Sequence, residues 1–297
     1  MKKRKKFKKY VGLFSLLLLF LIAFFVLDYF LGYEITHNVS YGEKEANVMD
    51  VYMPKKAYKR ETNGCVVFIH GGSWSGGDKK EEAARCRLLA SRGYVAVSVN
   101  YTLYSDATAD VYSVFDVLDE LDGALSAIKA FAAERGVTVD KAGVTGYSAG
   151  AHLAMLYSYS RADTAPLTIA FVGSMAGPAD ISEQVWGSEM TIRVAKRLTG
   201  KTLTEEMLLS SEADELLRSI SPVSFVNENS PPTAIMHGGK DTLVPVANTS
   251  SLVEKLSQNE VPYDYVYVKN ADHLLLHNPF KHLSYYKTLI RYAKIYF

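Results

Sequence analysis

The sequence predicts an α/β fold in which a mostly parallel central sheet carries helices on both faces. Two short segments within residues 34–53 alternate apolar and polar residues, which predicts an antiparallel hairpin ending at Pro54. Beyond the hairpin, continuous apolar runs of strand length alternate with amphipathic segments of helical length. This alternation is typical of strands that are buried on both faces by the helices connecting them.

The first strand–helix units follow the hairpin directly. The apolar run 65–69 predicts a buried strand, and the amphipathic segment 81–92 predicts a helix because Gly93 follows it. Residues 94–99 predict the next buried strand, and residues 111–135 predict a long amphipathic helix. The sequence then predicts a strand at 142–145, a helix from 151 onward and a strand at 167–173.

The alternation stops at residues 181–221, which are polar and helical in character. We expect candidate helices at 191–198 and 204–217, in an insertion over the sheet edge that adds no strand. The strand–helix pattern resumes with strands at 233–236 and 263–268, a helix at 247–259 between them, and a closing helix from Lys281.

Charge is distributed unevenly along the chain. The 297 residues have a formal net charge of +1, but residues 1–9 contain seven basic side chains and no acidic one. Subtracting seven from the 33 basic residues leaves 26 against 32 acidic residues, a net charge of −6 after residue 9. The basic cluster precedes the uncharged segment 10–27, which favours a membrane-anchoring pattern over a nucleic-acid-binding patch.

The uncharged segment 10–27 is long enough to cross a bilayer. At about 1.5 Å per residue a helix of this length spans roughly 27 Å, close to the thickness of the hydrocarbon core. We expect residues 1–32 to form an uncleaved signal anchor, with the N-terminus cytoplasmic and residues 33–297 outside the cytoplasm. The alternative is a cleaved signal peptide and a secreted protein, although no Ala-x-Ala-like site follows the segment.

The two cysteines suggest neither a metal site nor a redox motif. Cys65 lies in a predicted buried strand and Cys86 in a predicted helix. Export permits a disulfide, but two unpaired buried thiols agree with these positions at least as well.

A serine between two glycines lies where a predicted strand meets a predicted helix. Residues 146–150 read Gly-Tyr-Ser-Ala-Gly, with Ser148 at the centre. Small flanking residues permit the sharp turn of a nucleophile elbow, which exposes the serine hydroxyl. The pentapeptide alone occurs often by chance, so its context decides its meaning.

A glycine-rich loop follows the first buried strand directly. Residues 70–74 read His-Gly-Gly-Ser-Trp, and glycines let backbone N–H groups approach a ligand closely. Such groups stabilise the oxyanion of an acyl-transfer intermediate by about 3–4 kcal/mol per donor. Together with Ser148, the loop indicates an oxyanion hole rather than a plain turn.

A serine nucleophile needs a histidine as base, and the histidine needs an acid to orient it. Of seven histidines, His273 lies in the loop after the last predicted strand, where this topology places the base. Asp241 follows the preceding strand and is the leading acid candidate, while Asp272 and Asp180 are weaker ones. The order serine, acid, histidine is that of α/β-hydrolases, which excludes the trypsin-like and subtilisin-like orders.

With these motifs, the chain from about residue 35 onward resembles α/β-hydrolases of the carboxylesterase branch that carry His-Gly-Gly-x-Trp. The hormone-sensitive-lipase-like and bacterial feruloyl-esterase-like groups show this pattern. The resemblance implies an α/β-hydrolase fold with a small helical cap at 181–221, and hydrolysis of small carboxylic esters without a metal or organic cofactor. It also implies a catalytic triad and an oxyanion hole. The triad would be Ser148, Asp241 and His273, and the oxyanion donors would be the backbone N–H groups of Gly72, Ser73 and Ala149.

The same residues are also compatible with three other functions. They are an arylformamidase-like amide hydrolase, a serine peptidase, and a catalytically inactive binding module. An export anchor fits the first poorly, the chain has no room for the propeller of a prolyl-oligopeptidase-type peptidase, and an intact triad argues against the third. Trp74 and Trp186 are candidates for the substrate pocket, although either residue is equally compatible with ordinary packing.

Overall fold

The computed structural model describes residues 15, 18–20, 22–23, 26, 32–105, 107, 112–275 and 279–297. In this part of the chain an eight-stranded mixed sheet is flanked by helices, which confirms the predicted α/β class. The strands are β1 (Tyr33–Ser40), β2 (Val48–Pro54), β3 (Asn63–Ile69), β4 (Val95–Val99), β5 (Val139–Tyr147), β6 (Thr168–Met175), β7 (Thr233–Gly238) and β8 (Tyr263–Val268).

Outside the insertion 181–221, the helices lie close to the predicted positions. They are α1 (Ala83–Ser91), α2 (Val114–Ala133), α3 (Ala149–Ser160), α4 (Glu183–Trp186), α5 (Ser188–Thr199), α6 (Ser211–Ser219), α7 (Ala247–Gln258) and α8 (Pro279–Tyr296). Short 3₁₀ helices form at Ala57–Lys59, Lys79–Glu82, Met207–Leu209 and Pro222–Phe225.

The sheet order is β1-β2-β4-β3-β5-β6-β7-β8. Strands β1 and β2 pair antiparallel, as do β2 and β4, and every later neighbour pairs in parallel. Because parallel strands share one direction, the loops that follow β3, β5, β7 and β8 all leave from the same edge of the sheet. This edge brings together sequence-distant segments.

Strand β3 shows how the two faces of the sheet are covered. Cys65, Val67 and Ile69 belong to one hydrophobic cluster, which includes residues of α2 and α3. Val66 and Phe68 point to the opposite face and join a second cluster, which includes residues of α1 and α8. The alternation follows from the two-residue period of a strand, and burial on both faces explains the continuous apolar run in the sequence.

The insertion 181–221 connects the neighbouring strands β6 and β7 and adds no strand. The predicted helix at 204–217 is wrong as a single element. The 3₁₀ turn Met207–Leu209 ends before Ser210, whose Oγ accepts a hydrogen bond from the Ala213 N–H at 3.2 Å and caps α6. A serine cap therefore restarts the helix within the segment. The predicted catalytic domain comprises residues 33–297. That residues 181–221 act as a cap within this domain remains a prediction.

Cys65 and Cys86 are both free and fully buried. They lie in the two different clusters, on opposite faces of the sheet. Burial raises the pKa of the Cys65 thiol to about 12, so this group stays protonated at neutral pH.

The predicted anchor at 1–32 lies almost wholly outside the described residues. Within the described ranges, no helix combines the length and the hydrophobicity that a membrane span requires.

Candidate active site

Ser148 stands between the end of β5 and the first residue of α3. Its backbone adopts φ +54° and ψ −121°, a combination that is strained for a residue with a side chain. Its backbone N–H donates to the carbonyl of Met175 at the end of β6, at 2.8 Å. This bond fixes the turn beside the neighbouring strand and leaves the serine side chain projecting from a tight bend.

The two glycines of the pentapeptide are each required by a close backbone approach. A Cβ atom on Gly146 would lie 2.3 Å from the carbonyl carbon of Gly150, where the helix folds back on the strand. A Cβ atom on Gly150 would lie 2.1 Å from the carbonyl oxygen of Ile69, at the end of β3. The elbow therefore packs against the strand that leads into the glycine-rich loop, which explains why both flanks must be glycine.

A continuous chain of hydrogen bonds joins Ser148, His273 and Asp241. His273 Nε2 lies 2.9 Å from Ser148 Oγ, and His273 Nδ1 lies 2.7 Å from Asp241 Oδ2. Because an ionised carboxylate only accepts, Nδ1 carries the hydrogen and Nε2 is left to accept from the serine hydroxyl. Among the three acid candidates, it is Asp241 that the structure places against the imidazole.

Asp241 is buried and ionised. Its Oδ1 accepts hydrogen bonds from the backbone N–H groups of Leu243 and Val244 at 2.9 and 2.8 Å. Burial alone would raise the pKa of Asp241, but hydrogen bonds from His237, His273 and the Val244 N–H hold it well below its ordinary value. A negative charge is thus fixed beside the His273 ring.

A second histidine, His237, touches the same carboxylate. Its Nε2 lies 3.0 Å from the Val244 carbonyl and 3.3 Å from Asp241 Oδ2, while Nδ1 lies 2.6 Å from Thr249 Oγ1. Since the Val244 carbonyl can only accept, Nε2 carries the hydrogen and Nδ1 accepts from the threonine. From the sequence alone, His237 is recognisable only as the residue that follows the predicted strand 233–236. Its spacing four residues before Asp241 in the tight turn after β7 was the available signal.

The loop 70–74 is held in an unusual backbone conformation. Gly72, Ser73 and Trp74 have φ of +112°, +52° and +60° in succession. The Gly72 carbonyl accepts from the N–H groups of Ser75 and Gly76, both at 3.0 Å. Two consecutive non-glycine residues in the left-handed region store strain, and such strain persists only where the surrounding structure enforces it.

His70 supports this loop from its first position. The His70 Nδ1 donates to the Gly71 carbonyl at 2.7 Å, and the ring stacks on Tyr101 with centroids 4.5 Å apart. Gly77 allows this arrangement, because a Cβ there would lie 2.3 Å from His70 Nδ1. This contact, together with a φ of +100°, accounts for the glycine at position 77.

The backbone N–H groups of Gly72, Ser73 and Ala149 have no hydrogen-bond acceptor among the described residues. Ser73 and Ala149 line the same cavity as Ser148, whereas Gly72 is not among the lining residues. The N–H of Ser148 itself is already bonded to Met175. The cavity that Ser148 lines therefore has two unpaired donors in its wall, one from the loop 70–74 and one from the first residue of α3.

A cavity of about 200 Å³ opens above Ser148. Both tryptophans that the sequence suggested for a pocket line it. Trp74 donates from Nε1 to His152 Nδ1 at 3.3 Å, and Trp186 donates from Nε1 to the Asp180 carbonyl at 2.7 Å. The complete lining is Ser73, Trp74, Ser148, Ala149, Trp186, Met190, Arg193, Val194, Arg197 and Leu243.

His152 connects the cavity wall to the base of the insertion. It is fully buried on α3, accepts from Trp74 at Nδ1 and donates from Nε2 to the Ile220 carbonyl at 2.8 Å. Burial lowers its pKa to about 4, so the ring is neutral at physiological pH. No sequence pattern indicates this link, because Trp74 and Ile220 are far from His152 along the chain.

The buried His152 predicts a pH dependence of stability. Its unfolded-state pKa is about 6.5, so between pH 6.5 and 4 the unfolded chain binds more protons than the folded one. The free energy of unfolding should therefore fall as the pH is lowered through this window, by about 3 kcal/mol from this group alone. Urea titrations at pH 7, 6, 5 and 4 should show a shallower decline for His152→Gln than for the wild type. Parallel declines in the two proteins would contradict this assignment.

The comparison with protein-family models gives a match to the family model BD-FAE over residues 49–256, more than two thirds of the chain. This range contains the loop 70–74, Ser148 and Asp241, whereas His273 follows it.

Known proteins with similar sequences include esterases. The chain is 25% identical to Esterase LipC of Mycobacterium tuberculosis over 242 residues, which cover 76% of this chain and 57% of LipC. It is 31% identical to a kynurenine formamidase of Salmo salar over 119 residues, 40% of this chain and 37% of that protein. Three curated relatives that align with most of this chain are longer proteins. The chain spans 51–60% of their length.

A solved structure supports the fold. Esterase B of Lactobacillus rhamnosis superposes with a TM-score of 0.68 at 19% identity, covering 96% of this chain and 94% of that one. At this identity the likeness concerns the architecture of the sheet and its helices.

Proposed function

The chain belongs to the BD-FAE family, and on this premise we propose that it is a serine hydrolase that cleaves carboxylic esters. The single observation that carries the proposal is the hydrogen-bonded chain from Ser148 through His273 to Asp241. In an acyl-transfer site these three groups act as nucleophile, general base and orienting acid. The unpaired N–H groups of Ser73 and Ala149 supply the remaining part of the machinery.

In the acylation step, Ser148 Oγ attacks the ester carbonyl carbon while His273 Nε2 takes the hydroxyl proton. Asp241 stabilises the resulting imidazolium, with which it already shares a hydrogen bond at 2.7 Å. The carbonyl oxygen becomes an oxyanion and accepts from the N–H groups of Ser73 and Ala149, with Gly72 as the third predicted donor. His273 then returns the proton to the departing alkoxide, which leaves an acyl group on Ser148.

Deacylation repeats the sequence with water as the nucleophile. His273 removes a proton from water as it attacks the acyl carbon, and the same N–H groups hold the second oxyanion. Collapse releases the carboxylic acid and returns the proton from His273 to Ser148 Oγ.

A second candidate function is the cleavage of an N-formyl amide. This function is supported by the 31% identity between part of this chain and a kynurenine formamidase. The same nucleophile, base and oxyanion donors serve both reactions, since each proceeds through a tetrahedral intermediate at a carbonyl carbon.

We also propose that residues 1–32 tether the enzyme to a membrane and place residues 33–297 outside the cytoplasm. The seven basic residues before the uncharged segment 10–27 support this orientation. Protease added to intact cells should digest the catalytic part. Protection of that part until the cells are lysed would overturn the orientation, and recovery of the protein from the medium would favour the secreted alternative.

A substrate panel on the full chain in detergent tests the ester assignment. The panel comprises p-nitrophenyl esters from acetate to decanoate and formanilide as the amide. A cavity of about 200 Å³ is smaller than the roughly 300–1,000 Å³ of pockets that hold drug-sized ligands, so kcat/KM should be highest for short acyl chains and fall towards decanoate. Higher kcat/KM for formanilide than for the acetate and butyrate esters would overturn the ester assignment in favour of the amide.

A further inference from the structure

The cavity above Ser148 carries positive charge that the ester chemistry does not use. Resting on the proposed ester hydrolysis, we infer that the preferred substrates are short esters bearing a negatively charged group, which binds the guanidinium of Arg197. The triad and the oxyanion donors act on the reacting carbonyl, whereas this contact concerns a different part of the substrate.

Among the described residues that line the cavity, two are cations and none is an anion. The cations are Arg193 and Arg197, and no aspartate or glutamate of the described part of the chain lines the cavity. The two arginines are four residues apart on α5, so they lie one helical turn apart on the same face. The rest of the wall is largely apolar, which lowers the local dielectric and strengthens an interaction with an anion.

Arg197 has no acidic partner within the described ranges. Its guanidinium is half-buried, 5.7 Å from the centre of the Tyr104 ring, and its Nη1 lies 3.5 Å from the Ser73 carbonyl oxygen. These contacts hold the side chain beside the oxyanion loop without neutralising it. An arginine offers several N–H donors in a planar arrangement, so donors remain for a carboxylate.

The neighbouring cation, Arg193, is already paired. Its Nη2 lies 2.8 Å from Glu189 Oε1, and both side chains are exposed. An exposed ion pair of this kind contributes little to stability, but it gives Arg193 a counter-charge. Of the two arginines that line the cavity, Arg197 is the one without a counter-charge among the described residues.

A structural role for Arg197 is the competing explanation. The bond to the Ser73 carbonyl connects α5 to the loop that supplies an oxyanion donor, so the side chain also braces this loop. Loss of bracing would slow the hydrolysis of every ester alike. Loss of anion binding would slow only charged esters, and a pair of substrates that differ only in charge separates the two effects.

The test compares monomethyl succinate with methyl succinamate, in which a neutral amide replaces the carboxylate. Methanol release by the full chain in detergent at pH 7 and low salt is measured for both esters. We expect kcat/KM to be about tenfold higher for the anionic ester, because hydrogen bonds to a charged group are the stronger class. Acetoxyacetate and acetoxyacetamide form the second pair, which places the charge on the alcohol side instead of the acyl side.

Arg197→Gln should remove the preference, bringing the charged and neutral members of the pair to within about twofold, because the charged ester loses more rate than the neutral one. Lys196→Gln is the matched control, since it removes one positive charge from an exposed position on the same helix that does not line the cavity. The control should keep the preference. The inference would be overturned if the wild type showed no preference for the charged ester in either pair. It would also be overturned if Arg197→Gln lowered kcat/KM for the charged and the neutral ester by the same factor.

Binding without turnover separates this inference from the proposed function. In a Ser148→Ala background, calorimetry with monomethyl succinate should show about tenfold weaker binding once Arg197→Gln is added. Equal binding in the two proteins would overturn the charge recognition, even if neutral esters are hydrolysed. If neither neutral ester is hydrolysed in a Ser148-dependent way, the proposed function fails, whatever the binding shows.

Discussion

Replacing Ser148 with alanine should reduce kcat for p-nitrophenyl acetate by about 10⁴- to 10⁶-fold, because no other group can form the acyl-enzyme. The hydroxyl sits in a strained bend, within 2.9 Å of His273 Nε2, and its removal leaves the oxyanion donors but no nucleophile. Initial rates and stopped-flow bursts measure the loss. Substrate binding should change little, since the methyl group of alanine leaves the cavity lining intact.

Ser158→Ala provides the matched control for this substitution. Ser158 lies on the same helix as the elbow, is fully buried, and its hydroxyl has no hydrogen-bond partner in the described part of the chain. Its removal should leave kcat within about twofold of the wild type and stability unchanged or slightly higher. Activity in Ser148→Ala above about one hundredth of the wild-type rate would contradict the assignment of the nucleophile.

Asp241→Asn should lower kcat by about 10³- to 10⁴-fold by placing the imidazole in the wrong tautomer. The asparagine oxygen can keep the hydrogen bonds from the Leu243 and Val244 N–H groups, so the loop should hold its shape. Its NH₂ group then faces His273 Nδ1 and donates to it. Nε2 would therefore carry the hydrogen and could no longer accept the Ser148 proton, the effect described for the same change in serine proteases.

Asp272→Asn is the control for this prediction. Asp272 adjoins His273 in the sequence and was a weaker acid candidate, whereas the carboxylate within 2.7 Å of the imidazole is that of Asp241. Full pH–rate profiles of both variants should show a lower plateau for Asp241→Asn and a nearly unchanged one for Asp272→Asn. A larger loss of activity in Asp272→Asn than in Asp241→Asn would contradict the assignment of Asp241 as the acid. Urea unfolding of Asp241→Asn separates loss of activity from loss of the fold.

The sequence predicts the sheet well because its strands follow from local patterns, and the motifs that mark the candidate site are local too. Strands such as β3 read as continuous apolar runs, and the elbow and the glycine-rich loop carry their geometry in their glycines. The position of the insertion between two strands was also predictable from the break in the alternation.

The features that the sequence does not reveal depend on contacts between distant residues. The link from Trp74 through His152 to Ile220 joins three segments, and the contact of Arg197 with the Ser73 carbonyl joins two. No periodicity marks such pairs. The start of α6 was missed for another reason, since the helical pattern continues across Ser210 and only the hydrogen bond to Ala213 shows that the helix begins anew.

Covalent labelling tests the central claim most directly. A p-nitrophenyl alkylphosphonate mimics the tetrahedral intermediate and should react with the activated serine in a ratio of one to one, releasing one p-nitrophenol per chain as activity is lost. Peptide mass spectrometry should locate the adduct on Ser148, and Ser148→Ala should remain unlabelled. An adduct on any other residue that accounts for the loss of activity, or a stoichiometrically labelled Ser148 in a fully active protein, would contradict the account.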